Sequence, residues 1–116
     1  MGNGLDFFAL GCYARKGAPM KSIRMTDFTQ LPLTTLYILD VREVIEYKLG
    51  HIPGAQNLPL SGLQTSYTRL DPTISYYVIC RSGKRSGRAA QFLASQGYTV
   101  TNVEGGMLAW NGPIQR

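Results

Sequence analysis

The chain has 116 residues, 44% of them hydrophobic and 16% charged, which suits one globular domain with one core. A net charge of +5 points toward anionic partners, yet no Lys/Arg run of the kind that grips nucleic acid or a membrane surface is present, and no apolar run approaches the ~18 residues of a membrane span. Two cysteines, Cys12 and Cys80, are too few for a disulfide framework, and with His51 as the single histidine a Cys/His zinc site lacks ligands. A reducing, cytoplasmic setting with no metal, no cofactor, no nucleic acid and no membrane is the resulting expectation.

Residues 1–21 read as an amino-terminal tail, disordered or left over from expression. Leu5-Asp6-Phe7-Phe8-Ala9-Leu10 is short, Asp6 interrupts it and no basic region precedes it, so it does not resemble a secretory signal. Gly2 invites N-myristoylation, but Asp6 stands where that pattern wants Ser or Thr. Arg15-Lys16-Gly17-Ala18-Pro19 reads as a linker, and Cys12, framed by no glycine turn or helix, as incidental. The domain is expected over 22–116. Ser22-Ile23-Arg24 suits a short edge strand, and Thr26-Asp27-Phe28 begins a short helix with Thr26 as N-cap, stopped by Pro32.

Leu36-Tyr37-Ile38-Leu39 is an unbroken apolar run, which suggests a strand buried on both faces of a parallel sheet. Residues 43–49 then read as a helix, with Val44 and Tyr47 at helical spacing and Gly50 closing it. Asp40, at the carboxyl end of the strand, either caps that helix or holds a cation from a neighbouring loop. Arg42 and Glu46 are spaced to pair along the helix. His51 could serve as a general base or order its own turn through the backbone, and the second reading is favoured. Residues 61–70 suit a helix with Leu63, Tyr67 and Leu70 on one face, ended by Asp71-Pro72.

Tyr76-Tyr77-Val78-Ile79 is the next buried strand, and Ala89, Ala90, Phe92 and Leu93 lie in a helix. Between them is a turn holding Cys80 and three cations, Arg81, Lys84 and Arg85, with Gly83 to bend it and Ser86 as candidate N-cap. Cys80 thus lies at the carboxyl end of a strand, facing a helix amino terminus, where open α/β sheets bind ligands. The partly positive helix terminus and the cations favour the thiolate, the reactive form, so an inert core cysteine is the weaker reading. A small anionic substrate explains the cations more economically than a phosphate backbone does. Gly97 closes the helix, and Tyr98-Thr99-Val100 starts a strand that runs to Val103. Glu104-Gly105-Gly106-Met107 turns into a last helix with Leu108 and a core Trp110, and Gly112-Pro113 ends the ordered chain. The alternation predicts a single α/β domain, a parallel sheet of about five strands with helices on both faces.

Three separated segments carry a family pattern. LDVREVIEYKLGHIPGAQNLP (39–59) resembles the D-x-R-x-x-x-E-[YF]-x-x-G-H-I-x-G-A-x-N-[IL]-P signature of rhodanese-like domains. CRSGKRS (80–86) resembles the active-site loop of single-domain rhodaneses, and VTNVEGGMLAWNG (100–112) their glycine-pair and tryptophan ending. The resemblance implies a sulfurtransferase. Cys80 would take the outer sulfur of a donor such as thiosulfate, become a persulfide, and pass the sulfur to cyanide or a thiol. The loop N–H groups of Arg81, Ser82, Gly83, Lys84, Arg85 and Ser86 would ring the persulfide anion, the cations would attract the donor, and Asp40 and Arg42 would support the site. Phosphatases and arsenate reductases related in fold use a loop with Cys-x5-Arg. Here Arg85 follows Cys80 as Cys-x4-Arg, a smaller cradle that suits sulfur. A binding module, or a carrier fed by a protein donor, is the remaining alternative.

Overall fold

The two unbroken apolar runs form neighbouring inner strands of one sheet in the computed structural model, which describes residues 20–116. The amino-terminal readings, that of Cys12 among them, lie outside the described residues. In chain order the elements are β1 (Lys21–Arg24), α1 (Met25–Phe28), β2 (Tyr37–Asp40), α2 (Val44–Leu49), β3 (Gln56–Asn57), α3 (Leu63–Ser66), β4 (Ser75–Ile79), α4 (Lys84–Ser95), β5 (Thr99–Glu104) and α5 (Gly106–Ala109). The five strands are all parallel, in the order β1-β5-β4-β2-β3. Asp40 lies opposite Ile79, and Val78 opposite Asn102, so β2, β4 and β5 end along the same edge.

Side-chain alternation splits the core in two. Leu39, Val78, Cys80 and Val100 point to one face and pack with Leu63, Leu70 and Ala89, Ala90 and Leu93 of α4. Ile38, Ile79 and Val103 point to the other face and pack with Met25, Phe28 and Ile52. Because both faces are covered, the inner strands are apolar without a break, which is the pattern read from the sequence. Each fully buried large aliphatic side chain contributes about 1.5–3 kcal/mol.

Several local expectations are corrected. Helix α1 begins at Met25 with Arg24 at its N-cap, so Thr26 sits inside it and is no cap. Residues 61–70 do not form one helix. They make a 3-10 turn (Leu60–Gly62), one α-turn and a second 3-10 turn (Tyr67–Arg69), because Gly62, Thr65, Ser66 and Thr68 are poor helix formers. Leu63 and Leu70 are nevertheless buried and Tyr67 packs beside them. The chain also stays ordered beyond Pro113, where Gln115 exchanges two backbone hydrogen bonds with His51, at 2.8 and 3.0 Å.

Candidate active site

Cys80 follows β4 directly and is fully buried. Gly83 adopts φ +103°, a left-handed conformation that turns the chain into α4 and serves as its N-cap. A side chain there would also crowd Gly105. The turn brings the Gly83 N–H to 3.1 Å from the Cys80 sulfur, at a helix terminus whose N–H groups lack helical partners. Burial alone would raise the thiol pKa. The polar groups of Ser86, Gly83 and Ser82 around the sulfur outweigh burial and leave the thiol below its ordinary range.

Ser86 is not the N-cap expected from the sequence. The helix begins two residues earlier, at Lys84, and Ser86 is fully buried inside its first turn. Its hydroxyl donates at 2.6 Å to Oδ1 of Asn102 on β5, whose Nδ2 donates to the Gly83 carbonyl at 3.3 Å.

The other wall of the loop is held by the carboxyl-terminal segment. Met107 N–H donates to the Cys80 carbonyl at 2.8 Å and Leu108 N–H to that of Arg81 at 3.0 Å. Gly106 permits this approach, since a Cβ there would overlap the Cys80 and Arg81 carbonyls.

The three cations part company. Arg81 and Lys84 are exposed and make no ion pair among the described residues. Arg85 is half-buried and forms a bidentate pair with Glu46 of α2, at 2.7 and 2.8 Å. The Arg85 hydrogen bonds hold the Glu46 pKa down at about 2, against a smaller opposing effect of burial. Glu46 also accepts from the Glu43 N–H at 3.0 Å, closing the capping box of α2. The expected Arg42–Glu46 pair is therefore absent, and Arg85 is not a free anion-capturing charge.

Asp40 meets neither of its two expectations. It holds no loop cation, and the N-cap of α2 is Glu43. Its carboxylate instead takes the Arg42 side chain at 2.6–3.1 Å and the Arg42 N–H at 3.0 Å. Arg42 then reaches the Gly50 carbonyl at 2.8 Å, and Asn57 donates to the carbonyls of Asp40 and Arg42 at 2.9 and 3.0 Å. His51 orders its turn as favoured: Nδ1 lies 2.8 Å from the Tyr47 carbonyl, and the ring stacks on Tyr47 at 3.6 Å.

A depression of about 580 Å³ opens beside the loop, lined by Arg81, Arg42, Glu46, Leu49, Leu108 and Trp110 among others. Trp110 is half-buried, packs against the Met25–Phe28 core cluster and donates from its indole to the Pro113 carbonyl at 3.0 Å. Among the described residues no group of three His, Cys, Asp or Glu could hold a metal, and no helix is long and apolar enough to cross a membrane.

A profile of the "Rhodanese-like domain" family matches residues 25–113, most of the chain. The chain belongs to the rhodanese-like family. The crystal structure of a rhodanese-related protein from Thermoplasma volcanium superposes with a TM-score of 0.76 at 34% identity, covering 82% of this chain and 97% of that one. Among curated relatives, "Putative sulfur carrier protein YrkF" of Bacillus subtilis is 43% identical over 89% of this chain, which spans only 62% of YrkF. "Putative sulfurtransferase YtwF" of the same organism is 43% identical over 66% of this chain and 75% of YtwF. Family and relatives together support sulfur transfer as the general chemistry of this rhodanese-like domain.

Three participants in the rhodanese loop were not read from the sequence. Helical spacing pairs Glu46 with Arg42, whereas its partner is Arg85. Gly106 was noted only within its motif, although a glycine pair next to a helix is a signal for close backbone approach. Asn102 carries a signal of its own, since a lone amide among Val100, Thr101 and Val103 of a strand is a polar group that needs a buried partner.

Proposed function

We propose that this protein is a sulfurtransferase of the thiosulfate type, with Cys80 as nucleophile and sulfur carrier. The observation that carries this reading is the Cys80 sulfur at the amino terminus of α4, accepting the Gly83 N–H inside a loop of further N–H groups. In the first half-reaction the Cys80 thiolate attacks the outer sulfur of thiosulfate. A sulfur–sulfur bond forms on Cys80 as the bond to the sulfonate sulfur breaks, and sulfite leaves with the electron pair. In the second, cyanide or a thiolate attacks the outer persulfide sulfur and the Cys80 thiolate departs. A low pKa serves both steps, since the cysteine is attacking group in one and leaving group in the other. Arg81 and Lys84 draw in the dianion.

Intact mass after incubation with thiosulfate tests the reading. The native protein should gain one sulfur atom, lose it to cyanide or thiol, and gain nothing as Cys80→Ala. A gain that survives in Cys80→Ala would overturn the role of Cys80.

One observation favours a second reading, a carrier fed by a protein. Ile45, Leu49 and Leu108 are 72%, 70% and 66% exposed on α2 and α5, the elements flanking the depression, and a small ion gains nothing from them. Under this reading the mass gain appears with a persulfidated protein donor and not with thiosulfate.

A further inference from the structure

The depression of about 580 Å³ begins at the Cys80 loop, since Arg81 lines it and so does Met107, whose N–H holds the Cys80 carbonyl. Its walls are unlike the loop. Leu49, Leu108, Trp110 and Ile114 line it, and the three aliphatic side chains are exposed. Ile45 stands one turn before Leu49 on α2 and is exposed on the same side of the helix. The charges around this apolar face are of one sign. Lys48 lies between Ile45 and Leu49, and Arg116 reaches the Leu49 carbonyl through Nε at 3.0 Å. Arg81 and Lys84 stand at the loop. None of these four cations makes an ion pair among the described residues. The one carboxylate lining the depression, that of Glu46, is taken by Arg85.

We propose that this face docks an acidic segment of a partner protein, and that this protein carries the thiol that takes the sulfur from Cys80. Its apolar side chains enter beside Leu49 and Leu108, and its carboxylates meet Lys48, Arg81 and Arg116. A thiosulfate dianion uses the loop cations and gains nothing from leucine, so the apolar wall belongs to the other half-reaction. There the partner's thiolate attacks the outer sulfur of the Cys80 persulfide. A sulfur–sulfur bond forms on the partner as the bond to Cys80 breaks, and the Cys80 thiolate leaves with the electron pair. Charge complementarity selects this occupant. A second copy, of net charge +5, would bring the same cations against these. Residues 1–19 offer one carboxylate, Asp6, against Arg15 and Lys16. A flat lipid surface would leave the depression unfilled.

This inference rests on Cys80 as the sulfur carrier, but its test needs no sulfur. Trp110, the chain's one tryptophan, lines the depression, so its emission reports on binding there. The Cys80→Ala protein is titrated with three tryptophan-free peptides of equal length, each with serine in place of the thiol. The first surrounds that serine with leucine, aspartate and glutamate, the second replaces its acids by lysine, and the third replaces its leucines by serine. The first should bind about tenfold tighter than either of the others. Ile45→Ser combined with Leu49→Ser should weaken it about fivefold, and Lys48→Glu about threefold. The same substitutions made with Cys80 intact should leave thiosulfate:cyanide turnover unchanged. No preference for the first peptide, or a preference indifferent to both substitutions, would overturn the proposal. So would binding of phosphatidylglycerol vesicles, in place of the acidic peptide, that the same substitutions remove. A Cys80 that takes no sulfur from thiosulfate would instead remove the proposed function and leave the binding result standing.

Discussion

Two corners of the molecule sit side by side at the carboxyl ends of β2 and β4, and they treat their polar groups in opposite ways. At the Asp40 corner every strong group is matched internally. The carboxylate holds Arg42, Arg42 also holds Gly50, and Asn57 ties down the two carbonyls. At the Cys80 corner the backbone is held as firmly, through Gly83, Gly106 and the N–H groups of Met107 and Leu108, but the Gly83 N–H points at the sulfur, and Arg81 and Lys84 make no ion pair among the described residues. Both corners are rigid. They differ in whether the rigidity closes on itself or leaves attraction available to something from outside, and the second arrangement is what a site needs.

The sharpest break of this comparison is at Cys80. Cys80→Ala should abolish sulfur transfer, and its thermal midpoint should stay within a few degrees of the parent, since only a small buried group is lost. Thiosulfate:cyanide turnover together with a melting curve checks both halves. Asp40→Ala should do the reverse. It strands the Arg42 charge in a buried place and should cost about 3–5 kcal/mol in urea unfolding, while whatever protein remains folded retains turnover. Arg81→Ala combined with Lys84→Ala should raise the thiosulfate KM about three- to tenfold with kcat little changed, and the difference should shrink at high salt. An unchanged KM would remove the capture role.

The smallest effect concerns Glu46, which lies between the two corners. Its folded pKa of about 2 lies below the ordinary 4.5, so its contribution to stability is full above pH 4.5 and is lost as pH falls toward 2. Glu46→Gln should flatten that part of a plot of urea midpoint against pH. With its neutralising partner gone, Arg85 should also draw the anionic donor slightly better, seen as a modest fall in KM.

What was legible in the sequence follows from local chemistry. The apolar runs of β2 and β4, Gly83 as a turn, and Cys80 between strand and helix all depend on neighbours within a few positions. Errors arose where a residue's partner lies elsewhere. Arg42 looked paired to Glu46 because helical spacing was assumed, yet Arg42 precedes the helix and folds back on Asp40. Glu46 finds Arg85 across 39 positions of chain. Ser86 has the right residue type for a cap, but the left-handed Gly83 starts the helix sooner and leaves the hydroxyl facing Asn102. Sixteen positions separate that pair, and no local pattern joins them.

The close contact of Gly106 with the Cys80 carbonyl has a temporal consequence. Cys80 leaves a ribosome well before the Met107 and Leu108 amides that fix its loop, so the nucleophile exists as chemistry before it exists as geometry. The same two amides report on the finished protein. Their hydrogen exchange requires the clamp on Cys80 and Arg81 to open, so their exchange rates measure how often the site comes apart when no substrate is present.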